Sequence, residues 1–167
     1  AQQIPALTAA GYRCIAYDRR GWGRTQLDAA GPQPGTASGD LLALMDYLHI
    51  DRAHLVGSAA GATVTLDFVL SYPQRVRSAV ISNAGGASIT DPKFQEMSLR
   101  LKTPEFDSYP ADFRELGPSY RAANPDGTRR WLELTRTSRQ TPAVTQPVKT
   151  PVTMAGLEAI KTPILLM

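Results

Sequence analysis

The chain has 167 residues, 43% of them hydrophobic, which suits one domain of ordinary size with a real core. No apolar run approaches the ~18 residues that a membrane span needs, so a membrane partner is not expected. The net charge of +3 comes from scattered arginines, denser between Arg114 and Arg139, with no aromatic interleaving. That pattern predicts a solvated basic face and excludes nucleic acid as the expected partner.

Residues 2–10 are helix-compatible and stop at Gly11. Tyr12 to Tyr17 is a short apolar run that predicts a buried parallel strand, with Cys14 inside it as an inert buried thiol. A charged loop follows, Asp18-Arg19-Arg20-Gly21-Trp22-Gly23-Arg24-Thr25, and residues 26–39, rich in Gly, Pro, Ala and Thr, read as a connection. From Asp40 to His49, Leu41, Leu44, Met45 and Leu48 make an apolar stripe at helical spacing. A strand at His54-Leu55-Val56 runs into Gly57, a helix covers Ala60 to Ser71 before Pro73, and Val76 to Ser82 is a buried strand closed by Asn83-Ala84-Gly85-Gly86.

The pattern changes near residue 90. Helices are predicted over 92–102, 110–123 and 126–139, a Pro/Thr/Val-rich linker over 141–153, a short helix over 154–160 and a last strand at Pro163-Ile164-Leu165-Leu166-Met167. Strands alternating with helices predict an α/β fold: a mostly parallel sheet with helices on both faces and one helical insertion. The expected division is a core over 1–90, a helical cap over 91–150 and a return to the core over 151–167. The sequence has no initiator Met and no signal-peptide pattern, and its closing strand lacks a following loop, so it reads as cut at both ends.

Between the strand at 54–56 and the helix at 60–71 stands Gly57-Ser58-Ala59-Ala60-Gly61. Small residues two places either side of a central residue let strand and helix approach in a sharp, strained turn. Such a turn lifts the central side chain out of the sheet. It also aims the next backbone N–H, that of Ala60, at the place where an oxyanion would form. Gly57 and Gly61 put Ala59 at the centre. With Ser58 at the centre, Val56 and Ala60 would occupy the glycine positions.

The stretch from Gly11 to Asn83 resembles the α/β-hydrolase superfamily. The likeness rests on Asp18, Arg20, Gly21, Gly23 and Thr25 in the charged loop, on the elbow around Ala59, on Tyr72-Pro73-Gln74-Arg75-Val76, and on the closing Lys161–Met167 run. The resemblance implies a nucleophile at position 59, where serine is expected and alanine stands. It implies an oxyanion donor at the Ala60 N–H and loop-fixing partners in Asp18 and Arg20. The catalytic acid and histidine would follow Met167, and a second oxyanion donor would precede residue 1. His49 and His54 do not match the histidine position. Three explanations of Ala59 stay open: an engineered Ser-to-Ala change, which leads; a natural non-catalytic relative; or a modified serine written as alanine.

The expectation is therefore a serine hydrolase of an ester, lactone or similar acyl bond in a small molecule, inactive as written. A C–C bond hydrolase and a ligand-binding relative are the alternatives. Met97, Leu101, Phe106, Phe113, Tyr120, Trp131 and Leu134 could wall a pocket, although packing within the cap explains most of them. Ser58, Phe113 and Trp131 are the candidate substrate contacts, and Trp22 is expected to brace its own loop. No metal and no cofactor is expected. The single cysteine suits a reducing, cytoplasmic location, and a homodimer is left open.

Overall fold

The computed structural model describes residues 3–25, 35–84, 89–101, 103–139 and 144–167. Most of the connection 26–39, Gly85-Gly86 and the first residues of the linker lie outside them. Helix α1 (Gln3–Ala9) leads to α2 (Ala37–Tyr47), β1 (Ala53–Ser58), α3 (Ala60–Ser71) and β2 (Val76–Ser82). Four helices follow, α4 (Pro92–Leu101), α5 (Ala111–Glu115), α6 (Pro118–Ala123) and α7 (Pro125–Ser138), then α8 (Met154–Glu158) and β3 (Ile164–Leu166).

The three strands form a parallel sheet in the order β1-β2-β3. Its register puts Leu55 beside Ala79 and Gly57 beside Ile81, with Ile164 next to Ala79. Because strand side chains alternate, these residues share one face, and α3 packs on it while α2 packs on α3. The core joins Ala62, Leu66, Phe68 and Val69 of α3 to Val76, Ala79 and Ile81 of β2, with Met45 of α2 and Val152. The apolar run of α3 explains its place: the helix is buried at Ala62 and from Val64 to Val69, and all of those residues except Thr65 and Asp67 are apolar. On the other face, Val56 is 65% exposed and Leu165 56%.

The structure corrects several expectations. Residues 12–17 do not form a strand, because no described residue supplies a ladder partner. That segment meets β1 through the Tyr12 ring, which lies edge-on to His54. Cys14 is accordingly half-buried rather than buried. Helix α2 starts at Ala37, three residues before the expected Asp40, because the Thr36 hydroxyl accepts the Gly39 N–H at 3.1 Å and caps it. The expected helix over 110–123 is two helices: Pro118 opens α6 and disfavours helical geometry at Gly117.

Arg75 ties the lead-in of β2 to the loop before β1. Its guanidinium donates to Asp51 O at 2.6 Å, Ile50 O at 2.8 Å and the Asp46 carboxylate at 2.7 Å. Replacing it by Met should destabilise the fold by about 2 kcal/mol in chemical denaturation. Arg75→Lys should recover less than half of that, because one ammonium cannot reproduce the planar fork.

Candidate active site

At the C-terminal end of β1 the chain turns sharply into α3. Ala59 adopts φ 50° and ψ −119°, the values of the first central residue of a type II′ turn, where glycine is the usual occupant. For a residue with a Cβ this costs about 1–3 kcal/mol. Hydrogen bonds hold the turn from both sides. The Ala59 N–H donates to Ser82 O at 3.0 Å, and the Ala59 carbonyl accepts from Ala62 N at 2.9 Å and Thr63 N at 3.3 Å. The neighbouring strand ends continue the stitching, since the Asn83 N–H donates to Met167 O at 3.0 Å. The side chain of Ala59 is exposed, and the N–H of Ala60, first in α3, has no acceptor within the helix.

The two glycines of the pattern are not equivalent. A Cβ on Gly57 would lie 2.3 Å from Gly61 O and 2.5 Å from Thr65 Oγ1, so strand and helix could not approach. A Cβ on Gly61 would meet nothing within 4 Å among the described residues. The sequence pattern suggests two steric requirements; the structure contains one.

The charged loop is fixed as the motif implies. Asp18 accepts the Arg24 N–H at 3.0 Å, and its carbonyl accepts the Thr25 hydroxyl at 2.6 Å. Gly23 (φ 53°) leaves the room that Asp18 fills: a Cβ there would lie 2.3 Å from its carboxylate. Arg20 makes a two-pronged bond to Asp40, Nε to Oδ2 at 3.0 Å and a terminal N–H to Oδ1 at 2.6 Å. Trp22 braces the loop as expected, with Arg19 5.0 Å and Arg139 5.8 Å from its ring centroid. Desolvation pushes the pKa of the nearby Tyr17 hydroxyl up; Arg19 opposes this shift and Asp40 reinforces it, so the phenol stays neutral.

A cavity of about 160 Å³ lies against the start of α3. Ala60, Thr63, Val64 and Asp67 line it from one helix face, Arg20 and Trp22 from the loop, and Val144, Gln146 and Val148 from the far side. Ser58, Phe113 and Trp131 do not line it, nor do they line the open hollow of about 420 Å³ at Ala16, Tyr17 and Asp18. Ser58 is exposed beside the turn. Phe113 is engaged within the helical segment, under the Arg121 guanidinium at 4.0 Å. Met97, Leu101, Phe106, Tyr120 and Leu134 are 40–77% exposed and so build no closed apolar wall in this chain. His54 bonds Ser78 Oγ through Nδ1 at 2.7 Å. It lies five residues back along β1 from Ala59, about 16 Å, beyond the reach of a general base. Asp67, Asp40 and Gln146 are the residues that the sequence reading missed. Asp67 had a signal, an acid in the middle of an apolar helical run.

A turn of this kind at the end of a parallel strand defines a class, and the chain belongs to it: the model of the alpha/beta hydrolase fold family matches residues 1–159. Over 84 residues the chain is 40% identical to BpoC of Mycobacterium tuberculosis, which carries the name of a non-heme bromoperoxidase; the match takes in 50% of this chain and 32% of BpoC. Over 85 residues it is 36% identical to a 2-hydroxy-6-oxononadienedioate/2-hydroxy-6-oxononatrienedioate hydrolase of Paraburkholderia phymatum, in 50% of this chain and 30% of that protein. The solved structure of a hydrolase from Pseudomonas aeruginosa superposes with a TM-score of 0.66 at 26% identity, over 99% of this chain and 64% of that one. The matched stretches thus span about a third of these two curated relatives.

Three substitutions read the turn in thermal denaturation. Gly57→Ala should cost at least ~2 kcal/mol through its backbone clash. Gly61→Ala should be neutral or stabilising by up to ~1 kcal/mol, since alanine is the better helix residue. Ala59→Gly should stabilise by about 1 kcal/mol as the strain is relieved.

Proposed function

We propose that the intact protein is a hydrolase of a small acyl compound, an ester or lactone, whose nucleophile is a serine at the position that Ala59 occupies here. One observation carries this reading: a non-glycine residue held at φ 50° on a strand-to-helix turn, its side chain exposed. Strained backbone of this kind clusters at active sites, which supports the reading. In the proposed mechanism the serine hydroxyl attacks the carbonyl carbon while a histidine, held by an acid, takes its proton. Both belong to the part of the family pattern that follows β3. The carbonyl oxygen gains negative charge and is stabilised by the Ala60 N–H at the start of α3. The leaving group takes the proton back from the histidine, and water then releases the acyl group by the same steps in reverse order. Residues 91–150 act as a cap over the site, and the setting is cytoplasmic.

A second reading keeps the nucleophile and changes the bond. The Paraburkholderia phymatum relative is named for hydrolysis of a dienedioate, which favours cleavage of a carbon–carbon bond beside a ketone. The same oxyanion donor would serve it.

The test is Ala59→Ser in the intact protein, exposed to a fluorophosphonate probe and then to nitrophenyl esters and a dienoic ketone. The expected result is stoichiometric labelling at position 59 and at least ~10³-fold faster ester hydrolysis than with alanine there. Faster turnover of the ketone than of the esters would select the second reading. Absence of labelling at position 59 in the folded protein would refute both and leave a non-catalytic ligand-binding relative.

A further inference from the structure

Asp67 is 2% exposed and sits in the middle of the apolar helix α3. A buried carboxylate is costly unless its charge is well hydrogen-bonded, and no ion pair among the described residues neutralises this one. Its partners are the Lys149 N–H at 3.0 Å, the Thr150 N–H at 2.9 Å and the Ser71 hydroxyl at 3.0 Å. Ser71 Oγ also lies 2.7 Å from Thr150 Oγ1. Two of the three donors to Asp67 therefore belong to a segment 82 and 83 residues away in sequence.

That segment, residues 144–150, is a strap with no helix or strand of its own. Alternate residues turn inward: Val144, Gln146, Val148 and Thr150 are half-buried, and those between are exposed. With no ladder to pair its backbone, the strap relies on side chains of the core. Asp67 holds its end. Gln146 Nε2 donates to Asp40 Oδ2 at 2.8 Å, the carboxylate that also grips Arg20. Just beyond, the Thr90 N–H donates to Val152 O at 2.8 Å, so the helical segment leaves and rejoins the core at one place.

The strap is also the far wall of the cavity beside Ala60. Asp67 shares the cavity-facing side of α3 with Ala60, Thr63 and Val64, at helical spacing, while Ala62, Leu66 and Val69 are in the core cluster. We infer that Asp67 is a positioning residue: by holding the strap, it sets the width of the cavity next to the oxyanion donor and so selects which acyl groups fit. The assignment rests on the proposed acyl-hydrolase reading for what the cavity receives, but the hold itself does not.

The experiment uses the intact protein. Asp67→Asn keeps the shape and replaces one acceptor by an NH₂ that opposes the strap's N–H groups. Amide hydrogen exchange at Lys149 and Thr150 should accelerate about tenfold, with Val80–Ser82 of β2 unchanged within about twofold. In the Ala59→Ser background, the ratio of kcat/KM for a hexanoyl over an acetyl nitrophenyl ester should shift at least ~3-fold. An unchanged strap, or strap and sheet exchanging faster together, overturns the inference, as does an equal fall of kcat/KM for both esters. Should Ala59→Ser turn over neither ester, the acyl-hydrolase reading fails and the exchange result alone decides the hold. Should Asp67→Asn not fold, Ser71→Ala, which removes one bond to the same carboxylate, takes its place. About threefold faster strap exchange then supports the hold, and full protection refutes it.

Discussion

A backbone angle of +50° at a residue with a Cβ is the constraint on which the rest of this structure depends. The angle survives because the groups around it leave no alternative. The Ser82 carbonyl captures the Ala59 N–H, the first turn of α3 captures the Ala59 carbonyl, and Gly57 lets the helix come within contact of the strand. Relaxing the angle would break those bonds and swing α3 away from β1 and β2, against which it buries most of the core. The turn is thus strained locally and stabilised globally, and its consequence is an exposed side chain above a helix N-terminus.

Around that turn the molecule divides its work between apolar packing and a few carboxylates. The sheet and α3 are held by packing: from Ala62 to Val69 the only fully buried acid is Asp67. The helical segment from α4 to α7 contributes no described residue to the core cluster. It is tied down where it leaves and returns, by Thr90 on Val152, by the Trp22 loop on Ser138 and Arg139, and by the strap on Asp40 and Asp67. Polar ties of this kind are directional, so they fix the position of a segment that apolar packing alone would leave free to slide.

The legible part of the fold was the part written in short-range patterns. Gly57 and Gly61 around Ala59, a strand before and a helix after, specified the elbow, and α3 and β2 fall at the residues that the pattern marks. The strand expected at 12–17 failed for a long-range reason: an apolar run specifies burial, but a strand also needs a neighbour. The break at Pro118 and the cap at Thr36 are local and written in turn chemistry, a proline at a helix start and a hydroxyl three residues before the N–H it accepts. The strap was not readable, because its two bonds to Asp67 come from more than 80 residues away and are made by backbone N–H groups, which carry no sequence signature. Phe113 and Trp131 show the same limit from the other side. Aromatic residues in a helical insertion suit a pocket wall and suit packing within the insertion, and composition does not separate the two.

The central claim is that position 59 presents a side chain to a reacting carbonyl whose oxygen meets the Ala60 N–H. The most direct measurement is a crystal structure of the intact Ala59→Ser protein after reaction with an alkyl phosphonate. The expected result is a phosphorus atom bonded to Oγ at position 59, with the phosphonyl oxygen about 3 Å from Ala60 N and φ at position 59 still positive. A phosphonate on any other residue, or one whose oxygen points away from the start of α3, would contradict it.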